Sequence, residues 1–148
     1  MTTSVTDTAR AGAAGTGVRP VRLVDSDVHP ALRSAEEFRR YLSPEWENYG
    51  PGRDNIPNTL YGAPNGGRRN DAKPASGPAG SDPELMERQL FGEAGVDFAT
   101  LVPRVVRNYT DPELDAAMKT ATNEWLEDTW LGEYNAHGRY KGPILVST

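Results

Sequence analysis

Three side chains that can bind a metal ion stand at alternate positions near the start of the chain. Asp25, Asp27 and His29 follow an apolar run at residues 21–24, and Pro30 comes next. Residues two apart in an extended chain point to the same face, so these three groups would share one side of a strand. Ionised Asp and neutral His are good ligands for a divalent cation such as Zn²⁺ or Mn²⁺. Asp-rich loops after strands also often satisfy backbone N–H groups, so the spacing alone leaves two interpretations open.

The elements around these residues alternate between strands and helices. We expect buried strands at residues 21–24, 96–102 and 142–148, with the candidate ligands just beyond the end of the first. This order favours an α/β fold with a parallel sheet. An eight-unit barrel typically needs about 250 residues, so three strand units in 148 residues predict the N-terminal part of a larger domain.

Three helix starts carry recognisable capping chemistry. Ser34 and Glu37 form a capping box, and Asp82 and Asp111 each stand before a proline that suits the first helical turn. A further helix is expected after Ser43. In the last long helix, helical spacing predicts a buried stripe of Leu114, Met118, Ala121 and Trp125. His137, near the end of that helix, is interpreted as a surface residue rather than a ligand.

Two stretches have little capacity to form a core. Residues 1–20 are rich in Thr, Ala and Gly and predict a disordered tail. Residues 49–80 contain seven glycines and five prolines among 32 positions, which predicts a long irregular loop. The barrel portion would therefore occupy residues 21–148, with the loop as an insertion.

Composition narrows the class of protein. The chain has no cysteine, a formal net charge of −5 and 36% hydrophobic residues. Disulfides and thiolate metal sites are thereby excluded, and the acidic balance argues against nucleic-acid binding. No apolar run approaches the roughly 18 residues of a membrane span, and the N-terminus lacks the apolar stretch of a secretory signal. We expect a cytoplasmic protein that acts on a small molecule.

The segment Leu23-Val-Asp-Ser-Asp-Val-His-Pro30 resembles the opening of the amidohydrolase-related family of metal-dependent TIM-barrel proteins, in the branch that includes aminocarboxymuconate-semialdehyde decarboxylase. That family follows its first hydrophobic run with Asp-x-His-x-His, and both histidines bind the metal. Here Asp25 matches the leading Asp and His29 the second histidine, whereas Asp27 stands in place of the first. Residues 90–103, 123–126 and 139–146 resemble the family's following helices and strands.

The resemblance implies a partial (β/α)8 TIM barrel in which Asp27 and His29 bind a divalent metal, Zn or Mn. It implies hydrolysis or non-oxidative decarboxylation of a small carboxylated or cyclic substrate. Barrel active sites lie in the loops that follow the strands, so the expected substrate residues are Arg104, Arg107, Asn108 and Tyr109. The family's remaining metal histidine and its catalytic Asp lie on later strands, so we expect the isolated chain to be inactive.

An alternative function is a non-catalytic interaction module. Its half-sheet would dock on the missing C-terminal part of the barrel, on a second copy or on another chain that supplies the remaining strands. The exposed edge expected at the last strand favours this alternative, because unpaired edges recruit other strands.

Overall fold

The computed structural model of the chain describes residues 22–49, 69–103 and 109–147. The strands are β1 (Val24–Val28), β2 (Phe98–Leu101) and β3 (Tyr140–Lys141), and the α-helices are α1 (Ala35–Arg39), α2 (Pro83–Glu87) and α3 (Pro112–Trp125). Wider π-helical turns prolong α2 over Arg88–Glu93 and α3 over Leu126–Glu133, and a short 3₁₀ turn spans Asn70–Ala72. The expected tail at residues 1–20 and most of the expected loop at 49–80 lie outside the described residues.

The three strands form one parallel sheet in the order β1-β2-β3. Strands alternate with helices along the chain, so the predicted α/β class with a parallel sheet is confirmed. Within the described ranges, no helix is both long and apolar enough to cross a membrane.

Helices cover one face of the sheet. Ala99 and Leu101 of β2 are completely buried, whereas Phe98 and Thr100, which alternate with them, are only partly buried. The buried face packs in a cluster that also holds Trp125, Trp130 and Tyr140 and the strand residue Val28. Successive side chains of a strand point to opposite faces of the sheet. The alternation in β2 therefore shows that the helices pack on one face of the sheet and leave the other face partly exposed.

Helix α3 also builds a second apolar cluster. Phe38 of α1 packs there against Leu114, Met118 and Ala121. The predicted stripe of α3 is confirmed, because these three residues and Trp125 are all buried. One helix therefore contributes to both parts of the core.

The capping chemistry acts as its residue types predict. The side chains of Ser34, Asp82 and Asp111 each accept a backbone N–H from the first turn of α1, α2 and α3. Pro83 and Pro112 occupy first-turn positions, where a missing N–H costs nothing. Gly95 follows the α2 region with φ +68°, a conformation that glycine adopts without strain. The expected helix after Ser43 is absent: residues 44–48 form turns instead.

The first strand lies further along the chain than expected. It covers Val24–Val28, so Asp25 and Asp27 are strand residues and do not follow the strand. Leu23 and Val24 are 52% and 53% exposed, and the predicted burial of this run is wrong. The reason is position: β1 is an outer strand of the described sheet, and Val24 pairs with Phe98, on the face that the helices leave uncovered.

The third strand is short and ends before the stretch expected to form it. It consists of Tyr140–Lys141, and residues 142–147 run alongside α3 instead. Pro143 has no N–H to continue the ladder. The Asn123 side chain instead donates to Leu145 O and accepts from Leu145 N–H, both at 2.9 Å. A side chain of α3 thus takes the place of a neighbouring strand.

Candidate metal centre

A bulge in β1 separates Asp25 from the other two candidate ligands. Asp25 pairs with Ala99, and Val28 pairs with Leu101, so two residues of β1 stand opposite Thr100 alone. Such a bulge adds a residue and re-aims the side chains beyond it. Asp25 Oδ1 accepts the N–H of Asp27 at 3.1 Å. The alternative interpretation of an Asp that serves the backbone therefore holds for Asp25.

Asp27 and His29 do come together. Asp27 Oδ1 lies 3.5 Å from His29 Nε2. Both residues lie where β1 ends, beside the end of β2, whose Val102 N–H donates to Val28 O at 2.6 Å. The side chain of Asp27 is 75% exposed and that of His29 is 27% exposed, so the pair opens to solvent.

The backbone of β2 determines which nitrogen of His29 is free. His29 Nδ1 lies 2.9 Å from the carbonyl oxygen of Val102. A carbonyl only accepts, so Nδ1 carries the hydrogen and a neutral ring presents a lone pair at Nε2. A hydrogen bond from the second ring nitrogen to a carbonyl is the usual way to orient a metal-binding histidine.

The two free donor atoms have a spacing that suits a metal ion. In a tetrahedral Zn²⁺ site, metal–ligand bonds of about 2.0–2.2 Å put neighbouring N and O ligands about 3.4 Å apart. The observed distance from Asp27 Oδ1 to His29 Nε2 is 3.5 Å. Without a cation or proton between them, a carboxylate oxygen and an imidazole lone pair would face each other unfavourably. The residues present therefore fit a divalent cation with two protein ligands.

No third ligand is in place in the described part of the chain. Among residues 22–49, 69–103 and 109–147, no group of three or more His, Asp or Glu side chains is arranged to hold a metal ion. Asp25 is separated from the other two by the register shift, and its Oδ1 already accepts the Asp27 N–H, so the structure does not bring the three expected ligands together. Two ligands leave the other coordination positions open to solvent, substrate or further protein groups.

The other histidine has the opposite arrangement. His137 Nδ1 accepts the N–H of Arg139 at 3.0 Å, so a neutral ring carries its hydrogen on Nε2. Nε2 faces Glu87 Oε1 at 3.8 Å, and the ring packs against Phe91 and Tyr140. A neutral His137 therefore has no lone pair at Nε2, and the residue is exposed, as predicted.

The Glu37 carboxylate links the segment that follows His29 to helix α3. Glu37 Oε2 accepts the Arg33 N–H at 2.5 Å, and Oε1 accepts the indole N–H of Trp125 at 3.1 Å. The Glu37 N–H in turn donates to Ser34 Oγ at 3.4 Å. The predicted capping box is thus present in modified form, with Glu37 bonded to Arg33 instead of the cap residue itself.

The predicted substrate residues are only partly described. Arg104, Arg107 and Asn108 lie outside the described residues. Tyr109 packs against the second cluster, and its N–H donates to Asp115 Oδ1 at 3.1 Å. The role of these four residues stays a prediction.

Sequence reasoning missed Val102, whose carbonyl selects the useful nitrogen of His29. Every residue type has a backbone carbonyl oxygen, so no sequence signal could have identified this one.

A scan of the chain against protein-family models finds no match, and a search of the curated proteins finds none either.

Proposed function

We propose that this chain forms part of a metal-dependent hydrolase or non-oxidative decarboxylase of the amidohydrolase-related type, with Asp27 and His29 as metal ligands. The observation that carries the proposal is the contact of Asp27 Oδ1 with His29 Nε2 at 3.5 Å, with Nδ1 held by Val102. The pair stands at the carboxyl ends of parallel strands, where barrel enzymes place their catalytic groups. The finer architecture, a partial (β/α)8 barrel, belongs to the same proposal.

Each residue of the proposed site has a distinct task. His29 would supply a neutral nitrogen ligand, oriented by Val102, and Asp27 a negative oxygen ligand that lowers the charge of the site. A divalent metal held there, Zn or Mn in our proposal, would polarise a substrate oxygen or lower the pKa of a bound water. The loop after β2, with Arg104, Arg107, Asn108 and Tyr109, would bind a small carboxylated or cyclic substrate. Catalytic zinc usually has three protein ligands, so we expect no turnover by the isolated chain.

A metal titration with matched histidine variants tests the proposal. Apo protein is titrated with Co²⁺, whose visible absorption reports ligand geometry, and with Zn²⁺ in competition. We expect one site, weakened at least about tenfold in Asp27→Asn and in His29→Gln, the scale seen when a metal's surroundings are damaged. The control His137→Gln should bind like the parent chain. Failure of the parent chain to bind, or equal loss in His137→Gln, would refute the proposal.

A second candidate is the interaction module, favoured by the outer strands. Val24 of β1 and the preceding Leu23 are exposed at one edge of the described sheet, and Ile144 and Val146 are exposed in the segment that follows β3. Unpaired strand edges with such residues recruit further strands. Sedimentation velocity over a range of concentrations should then show self-association that Val24→Lys reduces. A cooperatively folded monomer at every concentration would exclude docking on a second copy.

A further inference from the structure

A polar cavity of about 450 Å³ lies beside the loop that follows His29. It forms where that loop meets the segment before α2, and the Ala31 N–H donates to Gly80 O at 2.8 Å across this junction. Arg33, Asp82, Glu84 and Tyr134 are among its lining residues, whereas Asp27 and His29 are not. The cavity is therefore separate from the candidate metal ligands and has a size typical of small-molecule sites.

Opposite charges line this cavity without neutralising each other. Within the described ranges, neither Arg33 nor Glu84 takes part in a salt bridge. The Arg33 guanidinium lies against the neutral hydroxyl of Tyr134, with Nη2 3.5 Å from Oη, the long limit of a hydrogen bond. The third charged group, Asp82, already accepts the Leu85 N–H as a helix cap. The Tyr134 hydroxyl, and at longer range the Glu37 and Glu133 carboxylates, raise the pKa of Arg33, but in the described ranges none of these carboxylates is close enough to form an ion pair with it. The Arg33 guanidinium and the Glu84 carboxylate therefore keep hydrogen-bonding capacity for a ligand.

A ligand that carries both charges would satisfy both groups. A carboxylate on the ligand can bind the donors of Arg33, and an ammonium can donate to Glu84. A simple anion would satisfy Arg33 only and would meet the two lining carboxylates, and a simple cation would leave Arg33 unpaired. We propose that this cavity binds a small zwitterion of the amino-acid class, with its carboxylate on Arg33 and its ammonium on Glu84.

Three probe molecules of nearly equal size test the contributions of the carboxylate and the ammonium to binding separately. γ-Aminobutyrate carries both, butyrate only the anion and butylammonium only the cation. Titrations of ¹⁵N-labelled, metal-free chain at millimolar concentrations should show shifts of the Gly77 and Glu84 amides. We expect γ-aminobutyrate to bind at least about tenfold more tightly than either single-charge probe, since hydrogen bonds between charged groups are among the stronger ones.

Charge-neutral variants assign each contact. Arg33→Gln should weaken γ-aminobutyrate to the affinity of butylammonium, and Glu84→Gln to that of butyrate. Arg88→Gln and Glu124→Gln, at exposed positions that are not among the lining residues, should bind like the parent chain. The proposal would be overturned by equal affinity for the three probes or by the absence of amide shifts. It would also be overturned if both control variants lost as much affinity for γ-aminobutyrate as Arg33→Gln and Glu84→Gln. Repeating the titration in Asp27→Asn keeps the result independent of the metal proposal.

Discussion

At the scale of single residues, the hydrogen-bond partner of Nδ1 distinguishes His29 from His137. His29 Nδ1 meets a carbonyl and His137 Nδ1 meets an N–H, so their neutral rings expose opposite kinds of atom at Nε2. Only a lone pair can bind a metal. The spacing Asp-x-Asp-x-His predicted two side chains that do lie together, but the tautomer that leaves a lone pair at His29 Nε2 depends on Val102, 73 residues away.

Asp115 provides a prediction at the same scale. Its carboxylate, almost fully buried, contacts Lys119 Nζ at 2.8 Å and Ser147 Oγ at 2.6 Å, and it accepts the Tyr109 N–H at 3.1 Å. Hydrogen bonds from Lys119, Ser147 and Tyr109, in that order of effect, lower the pKa of Asp115 from 3.8 to about 2. A lowered folded-state pKa means that the unfolded chain binds the proton more readily.

Asp115→Asn should therefore lower the melting temperature by an amount that depends on pH. The contribution of the carboxylate is complete above about pH 4 and is lost as the pH falls toward 2, through the lowered pKa of Asp115. Melting curves of parent and variant, recorded by circular dichroism between pH 7 and 2, should converge at the acid end. The exposed control Asp128→Asn should follow the parent at every pH. A constant difference between parent and Asp115→Asn would contradict the assignment.

At the scale of elements, the segment after β3 shows how a strand-like sequence can leave a sheet. Gly142 lies so close to the π-helical extension of α3 that an added methyl group would be 2.9 Å from Leu131 Cδ1 and 3.0 Å from Leu126 Cδ2. Asn123 then holds both backbone groups of Leu145. Ile144 and Val146, on either side of Leu145, are left exposed. The strand predicted over residues 142–148 is therefore wrong, because the partner of this segment is a helix and not another strand.

Asn123→Ala should release this segment. The loss of both hydrogen bonds between the Asn123 side chain and the Leu145 backbone, at a partly exposed site, should cost about 1–2 kcal/mol of the free energy of unfolding. Hydrogen exchange of the Leu145 amide should become faster while the amides of β2 keep their protection. The neighbouring exposed substitution Glu124→Ala serves as the control and should leave Leu145 protected. Unchanged exchange at Leu145 in Asn123→Ala would show that other contacts hold the segment.

At the scale of the whole molecule, α3 connects the two apolar clusters. Trp125 belongs to the cluster under the sheet, and Met118 and Ala121 to the cluster around Phe38. Leu32 and Tyr41 pack against both. Because one rigid helix contributes buried residues to each, we expect the described parts of the chain to unfold as a unit.

Met118→Ala tests this connection. Met118 is completely buried, and its truncation should cost about 2–5 kcal/mol through lost burial and a remaining cavity. Urea unfolding followed by far-ultraviolet circular dichroism and by tryptophan fluorescence should shift equally for both signals. The exposed substitution Lys73→Ala controls for surface effects and should leave the midpoint nearly unchanged. Separate transitions, with only one affected, would mean that the clusters unfold independently.

Much of the fold could be predicted because it depends on local chemistry. Capping by Ser34, Asp82 and Asp111 and the buried stripe of α3 involve residues within a few positions of one another, so their pattern is visible in the sequence. The alternation of strands and helices likewise indicated a parallel sheet. The amino-acid sequence by itself determined these helix starts, this core stripe and the nearness of Asp27 to His29.

Only the tertiary structure decided which atoms of those residues are available. The bulge in β1, the exposure of Val24 and the exit of residues 142–147 from the sheet all depend on neighbours far along the chain. The same is true of the Val102 carbonyl and of the cavity between Arg33 and Glu84. Register, burial and hydrogen-bond direction are properties of pairs of distant segments, and no single segment encodes them.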